Sequence, residues 1–263
     1  MKVASWNVNS LNVRMPHLST WLATAAPDIV ALQETKLEDA KFPVEALTTL
    51  GYHSVFSGQK TYNGVALLTR EPVRDVVTDI PGLDDPQRRI LIATVGDPGS
   101  GQALRVVNLY VVNGQAVGSE KYAYKLDWLA KVTTFLGEEI RRHPRLVVMG
   151  DFNIAPDDRD VHDPAAWHEQ ILCSTPERDA LARLLGLGLF DSFRLFNQDA
   201  GHYSWWDYRQ AAFRRNLGLR IDLVLASEAL RDHCRAAGIE RETRTWERAS
   251  DHAPVVLEIE DGR

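Results

Sequence analysis

Cysteine is nearly missing from this chain of 263 residues: Cys173 and Cys234 are the only two, and neither sits in a zinc-ligand spacing. That excludes a disulfide-framed scaffold and a cysteine zinc site, and it predicts two free thiols in a reducing compartment. No apolar run approaches the roughly 18 residues that a membrane helix needs. Met1 leads directly into the strand-like Val3-Ala4-Ser5-Trp6-Asn7, so neither a signal peptide nor a membrane partner is expected, and the expected location is cytoplasmic. Repeats, low-complexity tracts and linker-like stretches are also lacking, which predicts a single domain over residues 1–263. Basic excess is lacking too. Thirty Lys and Arg against 36 Asp and Glu give a net charge of −6, which repels a polyanion unless charge is unevenly distributed or a cation intervenes.

Charge is in fact uneven. Between His202 and Asp222 stand four arginines (209, 214, 215 and 220) and two aspartates (207 and 222), interleaved with Tyr203, Trp205, Trp206, Tyr208 and Phe213. Guanidinium groups neutralise phosphates and aromatic faces stack on bases or line a sugar pocket, so this is one composition of a nucleic-acid surface. A core-packing strand reads equally well from the alternation in Tyr203 to Tyr208.

Periodicity predicts strands at Val3 to Val8, Ile29 to Gln33, Tyr52 to Phe56, Val65 to Thr69, Arg89 to Val95, Leu104 to Val111, Leu146 to Gly150, Ile221 to Ala226 and Pro254 to Ile259. Asp97-Pro98-Gly99-Ser100-Gly101 reads as a hairpin connection between two of them. Helices are predicted from Pro16, placed in a first turn, to Ala25, from Tyr122 to Ile140, and from Pro176 to Leu185, ended by Gly186 and Gly188. Runs of adjacent strands framed by helix-connected ones argue for two mixed sheets packed face to face with helices outside, an α/β sandwich of four layers. The polar stretch from Ile154 to about Glu169 is long enough to be a functional loop.

Chemistry-bearing groups gather at strand ends. Leu146-Val147-Val148-Met149 stops at Gly150-Asp151-Phe152-Asn153, and a period of two sends Asp151 and Asn153 to one side at the rim of a core. Asn7 closes the first strand, Glu34 follows the second, Asp222 sits inside Ile221 to Leu225, and Asp251-His252 precedes the last strand. Each alone has an ordinary explanation as a cap or a turn; several loops converging on one mouth explain them together.

Eight blocks in order carry a resemblance: Ser5-Trp6-Asn7-Val8-Asn9, Leu32-Gln33-Glu34-Thr35-Lys36, Tyr62-Asn63-Gly64-Val65-Ala66-Leu67-Leu68, Gln87-Arg88-Arg89-Ile90, Gly150-Asp151-Phe152-Asn153, Ser204-Trp205-Trp206-Asp207-Tyr208-Arg209, Gly218-Leu219-Arg220-Ile221-Asp222-Leu223 and Ser250-Asp251-His252-Ala253-Pro254. The chain resembles, over its whole length, the exonuclease III family of bacterial apurinic/apyrimidinic endonucleases, within the endonuclease, exonuclease and phosphatase superfamily. The resemblance implies Mg2+, with Mn2+ as a substitute, held chiefly by Glu34, with Asn7, Asp151, Asn153, Asp251 and His252 around it. Oxygen ligands suit that ion.

It further implies that Asp151 activates or positions the attacking water and that Asn153 holds the water and phosphate in line. Asp222 and His252 form an acid and imidazole pair, and Tyr110 touches the phosphate or leaving oxygen. Asn113 contacts phosphate, although Tyr110-Val111-Val112-Asn113 lacks the proline usual before that asparagine, which loosens the loop. Arg89, Trp206, Arg209, Phe213 and Leu219 are the implied DNA-binding residues, with Phe213 and Leu219 as wedge or pocket side chains. The implied partner is double-stranded DNA with abasic sites or 3′ ends, met by a monomer that cuts 5′ to the lesion and trims 3′ ends. Two other readings stay open: a phosphatase of inositol phosphates or lipids on the same core, and a binding module without catalysis.

Overall fold

Strands Ile29–Gln33, Val65–Thr69, Ile90–Val95, Leu146–Asp151 and Asp222–Ser227 are buried along their whole length, as strands are when both faces of their sheet are covered. The computed structural model describes residues 1–260, and among them two six-stranded mixed sheets dominate. The first runs in the order Cys234–Ile239, Val255–Ile259, Lys2–Asn7, Ile29–Gln33, Val65–Thr69, His53–Ser57, and the second in the order Val73–Val77, Ile90–Val95, Leu104–Tyr110, Leu146–Asp151, Asp222–Ser227, Leu189–Asp191.

Alternation sends one set of side chains between the sheets: Val3, Ile29, Ala31 and Leu67 from the first meet Ala93, Val106, Val147 and Met149 from the second. The opposite faces pack on helices. Trp6, Val30 and Leu32 meet Leu18, Trp21 and Leu22 of helix Leu11–Ala25, while Val107, Leu109 and Val148 meet Trp128, Leu129 and Val132 of helix Glu120–Arg142 and Leu181 of helix Thr175–Leu185. The result is the expected four-layer α/β sandwich.

The apolar interior contains a polar tie. Gln33 Nε2 donates to Asn108 Oδ1 at 2.8 Å across the sheets, and Asn108 Nδ2 donates back to the carbonyls of Leu32 and Ala66 at 2.9 and 2.8 Å. Ser5 Oγ completes the cluster on Gln33. Buried polar groups are tolerated when each is paired, and here the pairs fix how the sheets align.

Gly150 is needed where two strands of the second sheet approach. A β-carbon there would lie 1.8 Å from the carbonyl oxygen of Leu109, on a strand that pairs with Leu146–Asp151 in parallel. We expect Gly150→Ala to cost roughly 1–3 kcal/mol or more, since backbone must move to admit the methyl. An unchanged urea midpoint would contradict that crowding.

Two sequence expectations need correction. Pro16 lies inside helix Leu11–Ala25 and not at its start. The helix begins earlier because the N–H groups of Ser10 and Leu11 donate to the carbonyls of Glu34 and Thr35 at 2.8 and 3.0 Å, and the proline ring stays on the exposed side. The Ile154 to Glu169 stretch contains a 3-10 turn at Asp158–Asp160, with a capping box from Asp157, and a short helix at Pro164–Trp167.

Candidate active site

Adjacent strands of the second sheet bring Tyr110, Asp151 and Asp222 level with one another, since Tyr110 pairs with Asp151 and Asp151 with Asp222. The facing sheet contributes Asn7 at the end of its Lys2–Asn7 strand and Glu34 just past Ile29–Gln33. Asn7 Nδ2 bridges the seam, donating to Glu34 Oε1 and to Asp151 Oδ2, both at 2.9 Å. Its own oxygen accepts the Asn9 N–H at 3.0 Å, which fixes the amide orientation. Asn7 therefore turns N–H groups to the carboxylates, and the expected ligand oxygen points away.

His252 comes from the loop before the last strand. Its Nδ1 lies 2.9 Å from Asp222 Oδ2 and its Nε2 lies 3.8 Å from Asp151 Oδ2. Ser204 holds that aspartate still: its hydroxyl donates to Asp222 Oδ2 at 2.7 Å and accepts the backbone N–H groups of Ile221 and Asp222. Burial alone would lower the imidazole pKa, but the Asp222, Asp151 and Asp251 carboxylates outweigh it and raise it to about 10. The carboxylates around the ring thus favour the imidazolium form of His252, which donates at Nε2.

Burial pushes the Asp151 carboxyl up to about 7, helped by the Asp222 and Glu34 charges and opposed by His252 and the Asn7 amide. Burial and the adjacent Glu34 carboxylate hold the Tyr110 phenol well above its ordinary value, so it keeps its proton. Asp251 is secured by Asn9 Nδ2 at 2.9 Å and Trp205 Nε1 at 3.0 Å. Its pKa is lowered, since the His252 charge and these donors overcome burial.

On the far side, Asn113 Nδ2 donates to Asn153 Oδ1 and Asn153 Nδ2 to the Val111 carbonyl, each at 3.0 Å. A pocket of about 340 Å³ is lined by Glu34, Tyr110, Asn113, Asp151, Asn153, Asp251 and His252, with Trp167, Ile171, Leu172, Trp205 and Ile221 as its apolar wall and Asp207 with Arg209 at the margin, while Asn7 and Asp222 stand behind that lining.

Ligand atoms of Glu34, Asp151 and His252 lie within 4.8 Å of one another. Two carboxylates that close, one of them buried, carry negative charge that Lys36, 3.0 Å from Glu34 Oε2, neutralises only in part. A hard divalent cation fits the oxygens of Glu34 and Asp151 and supplies the missing charge.

Several expected DNA contacts lie elsewhere. Trp206 and Leu219 are 0% exposed: Trp206 packs against Phe213 edge to face, and Leu219 lies among Ala155, Val161, Leu172 and Ile221. Arg89 is buried as well, stacked at 4.5 Å over the Tyr110 ring and bonded to Gln87 and the Tyr110 carbonyl. These three support the site from within and do not face a duplex. Phe213 is half-buried against Trp206, and Arg209 is exposed, paired with Asp207 at 2.6 Å.

Sequence reasoning placed Trp205 in the aromatic cluster without assigning it to the site and passed over Trp167, Ile171 and Leu172. Trp205 had a signal: it and Trp206 are consecutive, and strand alternation requires one of them to face away from the core.

Comparison with known proteins gives the family. Residues 4–252 match the Endonuclease/Exonuclease/phosphatase family. Exodeoxyribonuclease III of Haemophilus influenzae is 36% identical over 268 residues, covering 98% of this chain and all 100% of that protein. The 3′ phosphatase NExo from Neisseria, solved with product DNA hairpin, is 50% identical, with a TM-score of 0.95 over 99% of both chains. An AP endonuclease from Archaeoglobus fulgidus is 35% identical, with a TM-score of 0.92 over 98% of this chain and 99% of that one. Full-length identity and a shared four-layer frame place the chain in the exodeoxyribonuclease III branch of the Endonuclease/Exonuclease/phosphatase family.

Proposed function

We propose that this protein is a Mg2+-dependent hydrolase of DNA phosphate esters, cutting duplex DNA 5′ to abasic sites and clearing phosphates and nucleotides from 3′ ends. The observation that carries it is the convergence of Glu34, Asp151 and His252, from three separate parts of the chain, on one pocket. Kinship with a 3′ phosphatase, an exodeoxyribonuclease and an AP endonuclease supports all three arms.

Asp151 orients the attacking water and accepts its proton, a task open to a carboxylate that faces the pocket between Asn7 and His252. The His252 Nε2–H donates to a non-bridging phosphate oxygen as negative charge builds, with Asp222 keeping the ring aimed. Tyr110 donates its phenolic hydrogen from the same side, and the Asn113 and Asn153 amides hold the ester in line. Glu34 and Asp151 would hold a divalent ion, which would supply Lewis acidity toward the phosphate oxygens. The apolar wall of Trp167, Ile171, Trp205 and Ile221 suits a baseless sugar or a 3′-terminal one.

An inositol polyphosphate or a lipid headgroup fits less well. Each added phosphate calls for its own cationic partner, and the pocket lining offers only Arg209 and His252.

Duplexes carrying one abasic analogue, and nicked duplexes with a 3′-phosphate, are the test substrates. Product is expected with Mg2+ and none with excess chelator; inactivity on both, with phosphate released from an inositol polyphosphate, would overturn the reading. Glu34→Ala is expected to raise the metal concentration for half-maximal rate at least ~10-fold while the far-ultraviolet spectrum stays native, because a rim carboxylate is removed without a core cavity. An unchanged metal titration would remove Glu34 from the metal site.

A further inference from the structure

A charged pair with no access to solvent lies directly behind the pocket. Lys125, in the second turn of helix Glu120–Arg142, and Glu177, in the first turn of Thr175–Leu185, are both 0% exposed and bonded to each other. The lysine ammonium has three hydrogens and three acceptors: Glu177 Oε1, the Asn153 carbonyl at 2.6 Å and the Asn113 carbonyl at 3.1 Å. Glu177 in turn accepts the Leu172 N–H at 3.2 Å through the same oxygen, and the Ser174 N–H and hydroxyl at 3.1 and 2.6 Å through the other. Gly114 makes room for the lysine stem, since a β-carbon there would sit 3.1 Å from Lys125 Cδ.

The pair thus grips three separate stretches of the pocket rim from behind: the loop of Asn113, the loop of Asn153, and Leu172 of the apolar wall. Asn153 sits in a turn. Its φ is +50°, a left-handed conformation that asparagine tolerates better than most side chains, and the Lys125 bond to its carbonyl holds that turn against the helix behind it. Asn113 lacks the proline that would stiffen its loop, and Lys125 takes hold of its carbonyl instead. The ammonium cannot reach a substrate, as every hydrogen on it is engaged. Stability alone is a weak account of the pair, because uncharged replacements of buried ion pairs are often equally stable.

We infer that Lys125 is a positioning residue, locking the Asn113–Asn153 amide pair in the orientation that receives the phosphate. Its kinetic consequence rests on the DNA-hydrolase reading above; its geometric content does not. The experiment compares wild type, Lys125→Met, Lys125→Arg and the double variant Lys125→Met/Glu177→Gln, the last removing both buried charges while keeping an acceptor for Ser174.

Two readouts are taken. The first is the side-chain amide resonances of Asn113 and Asn153 in 15N-labelled protein, which needs no substrate. In the double variant, folded by melting temperature, these resonances are expected to shift and broaden, and unchanged resonances would overturn the inference whatever the protein hydrolyses. The second is turnover of the 3′-phosphate duplex. The double variant is expected to lose roughly 100-fold in kcat with KM within threefold, the scale of an ångström-level misplacement, and Lys125→Arg to recover part of it. Full kcat in a folded double variant would equally overturn the inference. A wild type inactive on DNA would remove the substrate reading and leave the resonances to decide.

Discussion

Asp151→Asn is expected to lower kcat by roughly 10³–10⁴-fold, the range of a lost general base combined with a weakened metal site. An amide keeps the shape and can still accept the Asn153 N–H, as Asp151 Oδ1 does at 3.0 Å, but it turns an N–H toward the Asn7 amide that donates to Oδ2, accepts no proton and carries no charge. The pH dependence sharpens this. With its carboxyl pushed to about 7 by burial, wild-type Asp151 gains its charge as pH rises through neutrality, so rate at limiting Mg2+ rises across that range. A bound cation favours the carboxylate, so saturating metal moves the inflection to lower pH.

Stability runs the other way. A carboxyl whose folded pKa lies above its unfolded value stabilises the fold below about pH 4, and that contribution is lost as pH rises through about 7. Metal-free wild type is therefore expected to lose melting temperature from about pH 5 to pH 8 and Asp151→Asn to lose less over the same range. An equal loss in both, or an inflection indifferent to metal, would contradict the assignment.

His252→Ala is expected to reduce kcat roughly 10²–10³-fold, as loss of one charge-stabilising donor does elsewhere, with KM changed less than threefold. The split follows from geometry: Nδ1 is committed to Asp222 at 2.9 Å, so the Nε2–H alone faces the reaction, and it acts most on charge that appears only in the transition state. Asp222→Asn is expected to give a smaller loss in the same direction, because the ring stays but its charge is less favoured. A rise in KM at constant kcat would make His252 a ground-state anchor.

Interior strands were legible because burial on both sides leaves unbroken apolar runs such as Ile29-Val30-Ala31-Leu32. Of the edge strands only His53–Ser57 was. Val73–Val77 is mostly exposed and carries Arg74 and Asp75, and Cys234–Ile239, at the opposite edge of the other sheet, reads as Cys-Arg-Ala-Ala-Gly-Ile with little apolar patterning. Two-residue strands such as Trp205–Trp206 and Gly218–Leu219 exist through their pairing with each other and through single bridges to His252 and Val161.

The same physics divides the site. Acids at strand ends are visible one by one, but which of two adjacent tryptophans faces the pocket depends on register, and register is set by partners distant in sequence. Arg89 misleads because an arginine reads as a solvent-facing charge, whereas this one lies on a tyrosine ring. Lys125 gives no signal at all: a lysine on an amphipathic helix looks like any solubilising residue until Glu177 is found opposite it.

The seam between the sheets has a wider consequence. Glu34 rides on one sheet and Asp151 on the other, and the Gln33–Asn108 bond just beneath them sets their separation. Slippage of one sheet over its neighbour by a single residue, roughly 3.3 Å, would part the two halves of the centre while leaving each ladder whole. The interior amides act as a mechanical gauge, and injury there would surface as idle protein with every strand still in place.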